Sequence, residues 1–137
     1  MKKVILSFAL LLLVLSIPVF VLARGEIGLF DTMAEPCLIS PITEEVDLRG
    51  KDFLEFKWMS YASEVMKRRN YEFKLYEGYN MYEDGLMDKE LLPKNVYSIK
   101  IDAKKFENDK VYTWALKQIA MDGRKGDLSY SSFKVIK

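Results

Sequence analysis

The chain has 137 residues, half of them hydrophobic, with 21 lysines and arginines against 20 acidic residues, one cysteine and no histidine. The missing histidine excludes Ser-His-Asp and Cys-His nucleophile pairs and the commonest zinc ligand, and a single cysteine closes no intramolecular disulfide. A formal charge of +1 gives no bulk pull toward nucleic acid or an anionic membrane, so stability has to come from an apolar core.

Lys2 and Lys3 open the chain, and an apolar run from Val4 to Ala23 follows, interrupted only by Ser7, Ser16 and Pro18. A charged start, an apolar stretch and small residues before a cut make residues 1–23 a secretory signal peptide, cleaved after Ala23. The rival reading is an uncleaved membrane anchor, because about 20 apolar residues span a bilayer. Pro18 and the abrupt end at Ala23-Arg24-Gly25 favour cleavage, and a membrane contact is expected only if the segment is retained. A lipid anchor would need a cysteine directly after the apolar run, and the only one is Cys37. Losing Lys2 and Lys3 leaves 19 basic against 20 acidic residues, a net −1 in place of +1.

Residues 24–35 have no hydrophobic period and read as a leader arm ending at Pro36. From 36 to 137 the text is short strands separated by turn signals. Cys37 to Ser40, stopped by Pro41, predicts a first edge strand, since proline breaks the ladder and is tolerated at edges. Cys37 is expected there as a small buried hydrophobe; the other reading is an intermolecular disulfide giving a homodimer. Leu54, Phe56 and Trp58 share one face of an alternating run, as do Tyr71, Phe73 and Leu75 in the next. Met59 to Arg69 holds at most a helical turn or two within a loop. The stretch from Gly78 to Asn95 resists strand assignment. Val96 to Ile101 is a short strand with Ile99 and Ile101 on one face. Val111 to Ile119 is the longest, with Tyr112, Trp114 and Leu116 inward and Thr113, Ala115 and Lys117 outward. Ser132 to Ile136 closes the domain with Phe133 and Val135 inward. Strands at this spacing, rich in aromatic and β-branched residues, predict an all-β antiparallel sandwich.

The run ending in Trp58, then Tyr71-x-Phe73-x-Leu75, Tyr112-x-Trp114-x-Leu116 and Ser132-Phe133-Lys134-Val135 together resemble a fibronectin type III domain of an exported bacterial type. The resemblance implies strand B for the Trp58 run, C for the Tyr71 run, F for the Tyr112 run and G for the last. It places Tyr112 at a tyrosine corner, where the hydroxyl bonds backbone ahead of strand F, with Phe106 in place of a leucine before that crossing. The family has no shared active site, and a fold of this kind does not give a function.

Two surface features are candidate binding regions. The resemblance would gather the B–C and F–G loops at one end, bringing Lys67, Arg68 and Arg69 together with Arg124 and Lys125. Glu44, Glu45 and Asp47 would meet Glu107 and Asp109 at the other. A basic end fits an acidic partner, such as an anionic polysaccharide or a protein; solvated loops carrying ordinary charge are the plainer reading. The second feature is Tyr76, Tyr79, Met81 and Tyr82, either an interface or an irregular edge strand covering the sheet flank. Lys125-Gly126-Asp127 is too short a motif to carry an adhesion function. The carboxylates of Asp122 to Asp127 are too few for a calcium loop, and no phosphate loop, metal spacing or cofactor motif occurs. The expectation is therefore an exported, periplasmic or extracellular, non-catalytic module binding a protein or polysaccharide of the cell envelope, with no nucleic-acid partner. A filament subunit pairing through an edge strand or the arm is the alternative. A carbohydrate-active enzyme is disfavoured by the absent histidine.

Overall fold

The computed structural model describes residues 35–59 and 69–137. The chain divides into two units, Met1–Thr32 and Met33–Lys137, and every described residue belongs to the second. The expected signal segment, residues 24–34 of the expected arm, and residues 60–68, which include Lys67, Arg68 and most of the stretch expected to hold a helical turn, lie outside the described residues. Among the described residues, no helix is long and apolar enough to cross a membrane.

Period-two alternation produces strands where the sequence shows it, and tertiary pairing adds others. The order is β1 (Leu38–Ser40), β2 (Glu45–Asp47), β3 (Phe53–Trp58), β4 (Asn70–Glu77), β5 (Leu86–Leu92), β6 (Ser98–Asp102), β7 (Val111–Ile119) and β8 (Lys125–Ile136). They form a three-stranded sheet in the order β1-β3-β6 and a five-stranded sheet in the order β2-β8-β7-β4-β5. Pairing is antiparallel throughout except for β2, which runs parallel to β8. In the letters of the resemblance, β1, β3 and β6 are A, B and E; β5, β4, β7 and β8 are C′, C, F and G. The fold is a fibronectin type III-like β-sandwich.

Aromatic side chains fill the space between the sheets in three levels. Phe56 sits at the centre, its ring 5.2 Å from both Phe73 and Trp114 and 6.0 Å from Phe133. Toward one end, Trp58 packs on Tyr71 at 5.5 Å. Toward the other, Phe106 meets Tyr112 edge-on at 5.0 Å. Leu48, Leu54, Leu75, Ile101, Ala103, Leu116 and Val135 are buried with them. Each of the larger side chains contributes roughly 1.5–3 kcal/mol of burial, and well-placed ring pairs about 0.5–1.5 kcal/mol more. Ile101 is buried, whereas Ile99 packs half-buried against the core because β6 is an edge strand.

Two hydrogen bonds tie the sheets and their crossings. Trp114 Nε1 donates to the Pro41 carbonyl at 2.9 Å, joining the residue that ends β1 to the middle of β7. The Glu107 amide donates to the Tyr112 hydroxyl at 2.8 Å, which is the tyrosine-corner contact implied by the resemblance. Burial pushes the Tyr112 phenol above its ordinary pKa.

Several expectations are corrected. Cys37 is exposed and not a core residue. Its carbonyl accepts from Met59 at 2.8 Å, and Leu38, the next residue, packs against the core; at period two its neighbour therefore faces out. Thr113 and Ala115 do lie on the outer side of the five-stranded sheet but are buried there, at 0% and 2% exposure. The last strand begins at Lys125, well before Ser132, because the turn after Ile119 is tight. Ala120 donates to Arg124, Gly123 donates to Ala120, and Gly123 supplies φ 86°.

Candidate binding surface on the five-stranded sheet

The segment Gly78–Tyr82, between β4 and β5, explains the buried outer positions. Gly78, at φ 87°, reverses the chain at the end of β4 in a conformation that favours glycine. Its amide donates to Val111 at 2.7 Å, and its carbonyl accepts from the Thr113 hydroxyl at 2.7 Å. Thr113 also shares a hydrogen bond of 2.7 Å with Ser132. From there the segment crosses the outer face. Tyr79 borders a hollow of about 480 Å³ with Ser132, Lys134, Glu44 and Glu45. Met81 borders a second, of about 260 Å³, with Tyr76, Ala115, Leu128, Glu72 and Lys74. The chain then enters a 3-10 turn at Glu83–Gly85 and returns as β5.

This arrangement separates the tyrosines that the sequence groups together. Tyr76 is only 4% exposed, paired opposite Thr113, and is not available as a contact residue. The register shift between Leu75 and Tyr76 and the overlying segment enclose it. Tyr79 and Tyr82 are 72% and 67% exposed. Tyr130, absent from the sequence-level candidates, is 61% exposed and sits opposite Ala115 on β8. Its signal was its place in Leu128-Ser129-Tyr130-Ser131-Ser132, an alternation hidden by the weak hydrophobicity of serine.

Of the expected basic end, Arg69, Arg124 and Lys125 are described, and they lie at one end of the sheet, each engaged by a neighbouring side chain. Asn70, Ile119 and Lys125 are successive partners across β4, β7 and β8, so Arg69, Arg124 and Lys125 share that end. Arg69 Nη1 donates to Gln118 Oε1 at 3.0 Å. Arg124 Nε pairs with Asp122 at 2.7 Å, and Lys125 with Glu72 at 2.8 Å. The Lys125 ammonium, through that hydrogen bond, holds the Glu72 carboxyl below its usual pKa.

The acidic end is interleaved with cations in the same way. Lys110 bridges Glu77 and Glu107, both at 2.9 Å, and hydrogen bonding to both holds its pKa above the ordinary lysine value. Lys134 pairs with Asp109 at 3.0 Å, which raises its pKa. Arg49 holds Asp47 down to about 2 by a side-chain hydrogen bond. Exposed pairs of this kind contribute little stability.

The edge strand β5 carries a different signature. Asp88 and Glu90 are paired with Leu75 and Phe73, residues whose side chains point into the core, so the two acids lie on the inner side of the sheet edge. Asp88 is neutralised by Lys105 at 2.8 Å. Inward charges on an edge strand discourage strand addition. Among the described residues, no cluster of acidic and cysteine side chains could hold a metal ion.

No protein-family model matches the chain. No curated protein matches it either. Among chains of known structure, it is similar to the solution structures of the fn3 domain of human contactin 1, at 8% sequence identity and a TM-score of 0.44, over 83% of this chain and 92% of that one.

Proposed function

We propose that the protein is an exported, non-catalytic recognition module that contacts a protein or polysaccharide of the envelope or exterior through the outer face of its five-stranded sheet. The observation that carries this reading is the exposure of Tyr79 and Tyr130 on that face, with the exposed Tyr82 following in the same segment, in a domain whose other large aromatics are mostly in the core. Tyrosine presents a rigid apolar body with a polar tip and loses little conformational entropy on binding, which is why it is enriched at contact surfaces. Among the described residues, Arg124, Lys125, Lys110 and Lys134 are already paired with carboxylates, which leaves them less available to a charged partner. The inward acids of β5 likewise disfavour assembly by strand addition at that edge. Export is supported by the Lys2-Lys3 start and the apolar run to Ala23.

The test is capture from an envelope extract of the source cells, with the wild-type protein and a Tyr79→Ala, Tyr82→Ala, Tyr130→Ala variant compared. Material retained by the wild type and lost by the variant, at unchanged melting temperature, supports the reading. Equal retention by both refutes this face as the contact. Sequencing the N-terminus of the protein recovered outside the cytoplasm tests cleavage after Ala23.

A further inference from the structure

On the reading that this face is the contact surface, we infer that its ligand is a neutral, hydroxyl-rich polysaccharide strand lying along β8. Shape is the first argument. Leu128 borders the smaller hollow, Ser132 and Lys134 border the larger, and Tyr130 stands between them on the same strand. At the rise of an antiparallel strand, Leu128 to Lys134 spans roughly 20 Å. Two shallow hollows in line, with a tyrosine between and Tyr79 beside the second, suit an extended polymer better than a compact ligand.

Surface chemistry is the second. The hollows mix small apolar patches, Met81, Leu128 and Ala115, with ionic walls, Glu72, Lys74 and Lys134. The centre of a protein–protein contact is depleted of charged residues, which this surface is not. A sugar ring offers an apolar face to a tyrosine and hydroxyls at its rim. Each hydroxyl can donate to a carboxylate and accept from an ammonium.

Charge is the third. Glu72 lies 2.8 Å from Lys125 and 3.8 Å from Lys74. Lys74 is also 3.9 Å from Glu83, and Lys134 pairs with Asp109. Over the two hollows together the lining charges balance, Glu44, Glu45 and Glu72 against Lys74, Lys117 and Lys134, and a surface without net charge neither steers nor selects an ionic polymer. It retains donors and acceptors for an uncharged one.

Affinity electrophoresis in native gels tests this, using protein expressed from the full-length sequence and purified in the form the cell delivers. The probes are soluble mixed-linkage β-glucan, galactomannan, arabinoxylan and dextran, with polygalacturonate as the anionic comparison. The expected result is retardation by at least one neutral polysaccharide and none by polygalacturonate. Tyr130→Ala and Tyr79→Ala should each weaken that retardation about tenfold, while Tyr130→Phe, which keeps the ring, should stay near the wild-type value. Both tyrosines are mostly exposed, so an unchanged melting temperature accompanies the loss. The inference is overturned by no retardation with any of the four neutral polymers, by retardation with polygalacturonate alone, or by retardation that both alanine variants retain. If the neutral polymers fail while the triple variant loses a protein captured from envelope extract, the polysaccharide inference falls and the broader reading of the face stands.

Discussion

Trp58 and Trp114 are the two tryptophans of the chain, equally deep at 2% and 0% exposure, yet their indole nitrogens differ. Trp114 Nε1 donates to Pro41, whereas Trp58 Nε1 is buried without a hydrogen-bond partner among the described residues. Replacing each by phenylalanine removes the same atoms, so transfer and cavity costs largely cancel between the two variants. At position 114 the change forfeits a hydrogen bond, about 1 kcal/mol, and strands a buried carbonyl, about 1–3 kcal/mol. At position 58 it deletes a donor that had nothing to satisfy it, so its polar contribution is near zero or favourable. Trp114→Phe should therefore be the more destabilising by about 2 kcal/mol or more, close to 10 °C in melting temperature for a domain of this size. Guanidinium unfolding measures it, each variant keeping one tryptophan as its fluorescence probe. Full truncation to alanine should cost about 3–5 kcal/mol at either site. The argument is refuted if Trp58→Phe costs as much as Trp114→Phe.

Tyr112→Phe should cost about 1 kcal/mol at neutral pH by leaving the Glu107 amide without its acceptor. Because burial raises the Tyr112 pKa, stability from its neutral form is complete below the ordinary phenol value near 10 and is lost as pH rises past it. The gap between wild type and Tyr112→Phe should accordingly narrow in unfolding curves above pH 10, and a constant gap would contradict the assignment. Glu72 has a lowered pKa, so the stability it contributes is present above the ordinary glutamate value of 4.5 and is lost as pH falls through its folded value. Lys125→Ala should move the Glu72 titration upward in carboxyl NMR, and no movement would remove Lys125 as its cause. Thr113→Val deletes the bonds to Gly78 and Ser132. It should destabilise by about 1–2 kcal/mol and speed amide exchange in Gly78–Tyr82, whereas unchanged exchange would show that the segment is held by other contacts.

The sandwich was legible because its inner positions alternate without interruption. Leu54-x-Phe56-x-Trp58, Tyr71-x-Phe73-x-Leu75 and Tyr112-x-Trp114-x-Leu116 each declare a face by composition alone. The tyrosine corner was legible as well, since it depends on one residue at one place in a known pattern. Strand β5 was not. Leu-Met-Asp-Lys-Glu-Leu-Leu carries acids at inner positions that are tolerable only at a sheet edge, where Lys105 can reach Asp88.

The surface followed different rules from the core. Sequence alone determined which residues avoid water, because that preference belongs to each side chain and repeats with the strand period. It could place Arg69, Arg124 and Lys125 at one end, but not reveal that Gln118, Asp122 and Glu72 engage them. It read Thr113 and Ala115 as outward-facing, and only the tertiary path of Gly78–Tyr82 decided that they are covered. The same path enclosed Tyr76 while leaving Tyr79 exposed. Whether an outward side chain meets solvent depends on a segment dozens of residues away in sequence, held by hydrogen bonds that no local period encodes.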